Sequence, residues 1–302
     1  MGIRPMKKCK SLTCVLAFAL AFTAATTAAD SATLTFKFTA NNVPGAILTF
    51  PAGINNAGTT VGEYEDKNMV YHGYILNGKK LTTVDHPNGS DTSVSGIQYN
   101  GTIVVGGYFK SNTVTVGFRY KDGKFADITG PTGAATDSVN AINDSGAIVG
   151  WYEDFNNVIH GFLLKGKVYT TLDVPGAVST VATGINDKGT IILNWWNTSG
   201  DLGSSLTTNN GKTYKSIDVP GAGQLGSEPL GLNNEGDVVS LWYDNKKTPL
   251  YHGALLHSGK YYKFDFPKSV QTYAGGVNDK STIVGGHEAK SGGPVSGYKV
   301  TY

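Results

Sequence analysis

The chain has 302 residues, a formal net charge of +2, 16% charged residues, 40 glycines and two cysteines. It carries no basic stripe, which argues against nucleic acid or an anionic membrane surface as a partner. Cys9 and Cys14 both lie within the first 29 residues; once that segment is removed, disulfides, thiol catalysis and cysteine-ligated metal go with it, and stability rests on burial.

Residues 1–29 read as an export signal. Arg4, Lys7, Lys8 and Lys10 make a basic start, residues 12–22 an apolar core, and Thr27-Ala28-Ala29 a small-residue cleavage site, so the mature chain begins near Asp30. The apolar run is short of the roughly 20 residues that a membrane span needs. A lipoprotein reading would use Cys14, but Ser11-Leu12-Thr13 lacks the small residue expected before the cysteine. Losing four basic residues takes the net charge from +2 to about −2. The expected location is extracellular or periplasmic.

Residues 33–39 (TLTFKFT) form a lone strand that runs into Asn42-Val43-Pro44-Gly45-Ala46. The same ending returns at Asp173-Val174-Pro175-Gly176-Ala177 and Asp218-Val219-Pro220-Gly221-Ala222. This first strand therefore matches the fourth strand of a repeat with no first three before it.

Residues 141–177 show the repeat in full. Ala141-Ile142-Asn143 ends a strand, and Asp144-Ser145-Gly146 supplies a tight hairpin turn. A run of apolar and β-branched residues at 147–152 makes a second strand, and 153–158 a polar loop. Residues 160–164 make a third strand, which turns at Lys165-Gly166-Lys167 into a fourth at 168–173. Pro175 ends the unit, because proline lacks the donor that a central strand needs. The second and third strands are apolar on both faces, which suits a sheet covered on both sides.

Equivalent turns stand at 56–58, 99–101, 144–146, 187–189, 234–236 and 279–281, separated by 43, 45, 43, 47 and 45 residues. Four short antiparallel strands in roughly 40 to 45 residues are a β-propeller blade. The sixth copy stops after its third strand, near 297–302, and the orphan strand at 33–39 completes it. The expected fold is thus all-β: a single domain over residues 30–302, a six-bladed propeller closed by its own N-terminal strand, with no edge strand left bare. It is read as a monomer.

Alternating strand direction puts the tight turns at one end of the ring and the long connections at the other, where function on a rigid scaffold usually sits. The expected site is there, around the central opening. His72, His160 and His252 open the third strand of copies one, three and five, where copies two, four and six have Val116, Ser204 and Ser296. A three-histidine metal site fails on distance: alternate blades hold these rings roughly 20 Å apart, against roughly 2 Å for a metal bond. Each is instead expected to bond its local acid, Asp66, Asp154 or Asp244. Recurrence of those acids at equivalent positions favours a scaffold role, because catalysis needs unlike carboxylates.

Glu228 and Asp201 break the repeat and are the catalytic candidates. Trp151, Trp195, Trp196 and Trp242 all end the second strand of copies three to five, where other copies have Tyr64, Tyr108 or His287. With Asn194 beside them they are the candidate ligand-binding residues, an aromatic platform for a sugar ring; the alternative is inter-blade packing. No metal or other cofactor is called for.

The unit Gly184-Ile185-Asn186-Asp187-Lys188-Gly189, the run Ile148-Val149-Gly150 and the stretch His160-Gly161-Phe162-Leu163 resemble the bacterial extracellular HAF repeats. The likeness covers the mature chain, although His-Gly stands here where that family's name implies His-Ala, and His252-Gly253-Ala254 departs further. It implies export and a propeller-like array and carries over no site residue. The reading is a non-catalytic exported scaffold that binds a glycan or cell-surface polymer. The alternatives are a carbohydrate-active hydrolase or lyase and a structural surface module without ligand.

Overall fold

The computed structural model describes residues 34–131, 134–223, 225–246 and 248–302. The expected signal segment, both cysteines and Thr33 lie outside the described residues. Six four-stranded antiparallel sheets form a ring, a six-bladed β-propeller. The strands of blade one are Leu48–Ile54, Thr60–Glu65, Tyr71–Asn77 and Lys80–Val84; those of blade two are Ser90–Ile97, Val104–Phe109, Thr115–Lys121 and Lys124–Ile128. Blade three has Ala134–Ile142, Ile148–Asp154, Ile159–Lys165 and Val168–Leu172; blade four has Ser179–Ile185, Ile191–Trp196, Leu202–Thr208 and Thr213–Ser216. Blade five has Ser227–Leu232, Val238–Tyr243, Tyr251–His257 and Lys260–Phe264. Blade six has Gln271–Val277, Thr282–Glu288 and Ser296–Thr301. Its fourth strand comes from the other end of the chain, Lys37–Ala40, with Lys37 opposite Thr301 and Ala40 opposite Tyr298.

In blade three the second strand runs two residues past the expected loop boundary, to Asp154. The reason is local: the Asp154 carboxylate accepts the N–H groups of Asn156 and Val158, so the turn begins beyond it. This Asx-type turn replaces ladder bonds that the loop would otherwise leave open.

The core is a ring of inter-blade contacts rather than one central mass. Val61 and Val84 of blade one pack with Val94, Ile97 and Phe118 of blade two. Val149, Leu163 and Leu172 of blade three pack with Ile185, Ile191 and Leu193 of blade four. Neighbouring residues on one strand serve opposite junctions: Phe162 and Leu164 face blade two while Leu163 faces blade four, which is why the strands read as apolar on both faces.

The same amide closes five of the six inner turns. Oδ1 of Asn55, Asn143, Asn186, Asn233 and Asn278 accepts N–H groups of its own hairpin. Nδ2 of Asn143, Asn186, Asn233 and Asn278 donates to the carbonyl of the equivalent residue one blade on, the last reaching Asn55 at 2.9 Å. The asparagine of each repeat therefore shapes its own turn and fastens it to the next.

Blade two is the exception. Its first hairpin is one residue longer, with Ile97 opposite Val104 where Ile54 faces Thr60. The hydroxyl of Tyr99, within this longer turn, donates to the Leu232 carbonyl on blade five. Tyr99 is 6% exposed; burial, then the carboxylates of Asp279, Asp187 and Asp144, push its phenol far up. Among the described residues no helix is long and apolar enough to cross a membrane.

Candidate functional site

The axis of the ring is not the site that the sequence suggested. Its cavity is about 50 Å³, lined by first-strand residues of all six blades and by Tyr99. That is room for a few waters, against the several hundred Å³ of a typical ligand pocket. The reason is the lengthened turn of blade two, which lays a phenol among those strands.

At the long-loop end, blades one, three and five repeat one arrangement. Nδ1 of His72, His160 and His252 stands 2.9–3.1 Å from the carboxylate of Asp85, Asp173 and Asp265. Nε2 lies farther, 3.8, 3.8 and 3.4 Å, from Asp66, Asp154 and Asp244. The expected acids are therefore the weaker partners, and the stronger ones were missed. Their signal was available: an aspartate 13 residues after each histidine. Each imidazole also stacks on the ring opposite it, Tyr64, Tyr152 or Trp242, at centroid distances of 4.8–5.0 Å.

The loop acids are themselves tied down. Hydrogen bonds, first from the Val70 and Val158 N–H groups, hold Asp66 and Asp154 below the usual carboxylate range. Burial opposes ionisation of Asp244, but bonds from Lys246, Leu250 and His252 outweigh it and keep its carboxyl low.

The even blades solve the same packing problem differently. The blade-four counterpart of His72 is Gly203, not Ser204, because Trp195 stands opposite Gly203 as Tyr64 stands opposite His72. The Trp195 indole lies over that glycine, where an added Cβ would meet it at 2.2 Å, and its N–H donates to Ser205. In blade two, linker residue His86 stacks on Tyr108 at 3.7 Å, and in blade six Phe266 stacks on His287 at 3.7 Å. A ring fills the slot in every case where the strand-three residue is small.

This register divides the four tryptophans. Trp195 and Trp242 occupy one position, while Trp151 falls one residue before it and Trp196 one after. Successive side chains on a strand point to opposite faces, so the four do not form one platform. Trp242 is held between His252 and the Lys263 ammonium, 3.6 Å from its ring. Trp195 packs in the cluster shared by blades three and four.

Trp151 shares the face of Val149, toward blade four, and Trp196 that of Ile192, toward blade five. Both are half-buried at the long-loop end. Asn194 is fully buried; its amide donates to the Pro229 carbonyl on blade five and accepts from Ser204. It joins blades and does not reach solvent.

The two carboxylate candidates are apart in kind. Asp201 is exposed and accepts the Asn197 side-chain amide within its own loop. Glu228 is 7% exposed, accepts the Tyr243 hydroxyl at 3.3 Å, and is pushed up to about 7 by burial. The Tyr243 hydroxyl also meets the Tyr251 hydroxyl at 3.2 Å; the backbone N–H of Tyr251 donates to Gln271, whose amide donates to Glu288 at 3.1 Å. Among the described residues no three His, Asp or Glu side chains are placed to hold a metal ion.

No family model and no curated protein matches the chain. Solved structures do. A lectin, SapL1, in complex with α-methyl fucoside superposes with a TM-score of 0.55 at 10% identity, over 84% of this chain and 94% of its own. The six-bladed fucose lectin of Aleuria aurantia gives 0.52 at 14% identity, over 86% and 93%. The Trypanosoma rangeli sialidase gives 0.55 at 10% identity; 89% of this chain spans 60% of that enzyme. At these identities the likeness is one of fold.

Proposed function

We propose that the mature protein is an exported, non-catalytic scaffold of the HAF-repeat kind that binds glycans in the clefts between blades. The observation that carries the reading is the pair Trp151 and Trp196. They are half-buried indoles in two adjacent clefts, at the long-loop end, and among the described residues neither stacks on a protein ring or spends its N–H on a side chain. An indole so placed offers its face to the apolar side of a sugar, worth about 1 kcal/mol beyond the area buried. Binding of fucosides by lectins of the same fold supports the class of ligand. Opposed signals within the repeat support the absence of catalysis: Glu228 is buried behind Tyr243, and Asp201 belongs to another blade.

A glycan array probed with the mature protein tests this directly. Binding is expected, of modest affinity for a single ring contact, weakened in Trp151→Ala and in Trp196→Ala and lost when both are changed, while the folded ring is retained. A blank array removes the reading. Turnover of a polysaccharide panel that disappears in Glu228→Gln replaces it with a hydrolase.

A further inference from the structure

A second groove lies between blades four and five at the opposite, tight-turn end. It encloses about 400 Å³, and its lining includes Lys188, Thr190, Leu206, Tyr214, Lys215 and Asn234. That volume lies within the range of small-molecule pockets.

The groove lies where particular bridges of other junctions are missing; the Tyr261 hydroxyl of blade five does cross to the Ile217 carbonyl of blade four at 2.6 Å, but neither residue belongs to the lining. Between blades six and one, the Lys299 ammonium donates to the Gly58 carbonyl at 2.8 Å. Blade four has Leu206 at that register, with no polar tip to cross. Between blades three and four, Lys165 reaches Asn210 at 3.0 Å, and blade four has the shorter Thr208 in its place. Between blades five and six, Tyr302 spans to Asp237 at 2.8 Å.

What lines the gap is also particular to it. Lys215 faces Leu206 where the other blades place Thr82, Ala126, Thr170, Tyr262 and Thr39. Lys188 enters from the first hairpin turn. Both are exposed, and neither is paired with a carboxylate among the described residues. No carboxylate belongs to the lining. Of the nearby acids, Asp187 accepts the Asp144 N–H and the Asn234 amide, and Glu235 is exposed beside Asn234. The Tyr214 hydroxyl donates to the Asp173 carbonyl on blade three, which fixes its ring. Two free ammonium groups, threonine hydroxyls and an apolar floor of Leu206 and buried Leu232 are matched by a ligand with a hydroxylated ring and one anionic group.

We propose that this groove binds an acidic saccharide unit, a sugar bearing a carboxylate or a sulfate, with Lys188 and Lys215 taking the anionic group. The sugar part rests on the glycan-binding reading, and the site itself is separate from Trp151 and Trp196. Because both cations are exposed, binding weakens with added salt.

The test titrates the mature protein with galacturonic acid, galactose 6-sulfate, galactose and fucose, following amide shifts by NMR. The variants are Lys215→Thr and Lys188→Ser, which install the residues that blade three carries as Thr170 and Ser145, with melting temperatures recorded for each. The expected result is groove-localised shifts with the acidic sugars only, weakened about tenfold by each substitution and by salt. Preference between the carboxylate and sulfate arms identifies the anion. Equal binding of acidic sugars by the double variant overturns the proposal, as does equal binding of galactose in the groove. If neutral glycans bind through Trp196 and acidic ones do not bind in the groove, this inference alone fails. If no glycan binds anywhere, both readings fail.

Discussion

Glu228 shows how a single burial choice becomes a measurable property. Its carboxyl rises from 4.5 to about 7 because burial disfavours the charged form more than the Tyr243 hydrogen bond restores it. Between those values the folded chain holds a proton that the unfolded chain has released. Stability is therefore fully present below about pH 4.5 and falls as pH rises towards 7, by on the order of 3 kcal/mol. Urea unfolding from pH 4.5 to 8 should show this decline, and Glu228→Gln should flatten it; parallel curves for the two proteins would remove the argument. His160 makes the complementary case of a residue that looks functional and is structural. His160→Ala breaks the bond to Asp173 and the stack on Tyr152, and should cost about 1–2 kcal/mol while glycan binding is unchanged. Binding lost without loss of stability would make the histidine a ligand contact instead.

At the level of the element, the closing strand decides whether the ring is one cooperative unit. Lys37–Ala40 pairs with Ser296–Thr301, and the segment packs Phe36 on Phe264 and Phe38 on Phe266 and Tyr298, with centroids 5.0–5.6 Å apart. Deleting residues 34–40 bares the edge of the last blade and removes two phenylalanines from the cluster shared by blades five and six. Roughly 5 kcal/mol is expected to go, a fall on the order of 10 °C in one cooperative transition. A truncated protein that melts with the full-length one would mean that the ring does not depend on this closure. The strand could be recognised beforehand because its sequence ends as a fourth strand ends, in the valine-proline-glycine run of residues 43–45. Proline fixes that end chemically, since it cannot donate to a ladder.

For the whole molecule, the two proposed sites both lie in clefts between blades and differ in the end of the ring they use. Array binding sensitive to Trp151 and Trp196 belongs to the long-loop end, and salt-sensitive binding of acidic sugars to the groove at Lys188 and Lys215. The sequence by itself determined the number of blades, the four strands in each, the turns and the ring closure, because these follow from local periodicity and from turn chemistry repeated six times. For the histidines it predicted a local acid partner and named the more distant of the two that the structure shows. Only the tertiary structure decided which way each side chain faces. One step of register separates Trp195 from Trp196 and puts them on opposite faces of blade four, so the four tryptophans do not make the single platform expected from their shared place at the end of strand two. Long-range partners were equally out of reach: Asn194 is consumed by Pro229, and Tyr99 reaches Leu232 over a separation of 133 residues. Such contacts depend on how blades meet after closure, and at the groove of Lys188 and Lys215 the registers that hold the crossing Lys299 and Lys165 in other blades carry the shorter Leu206 and Thr208.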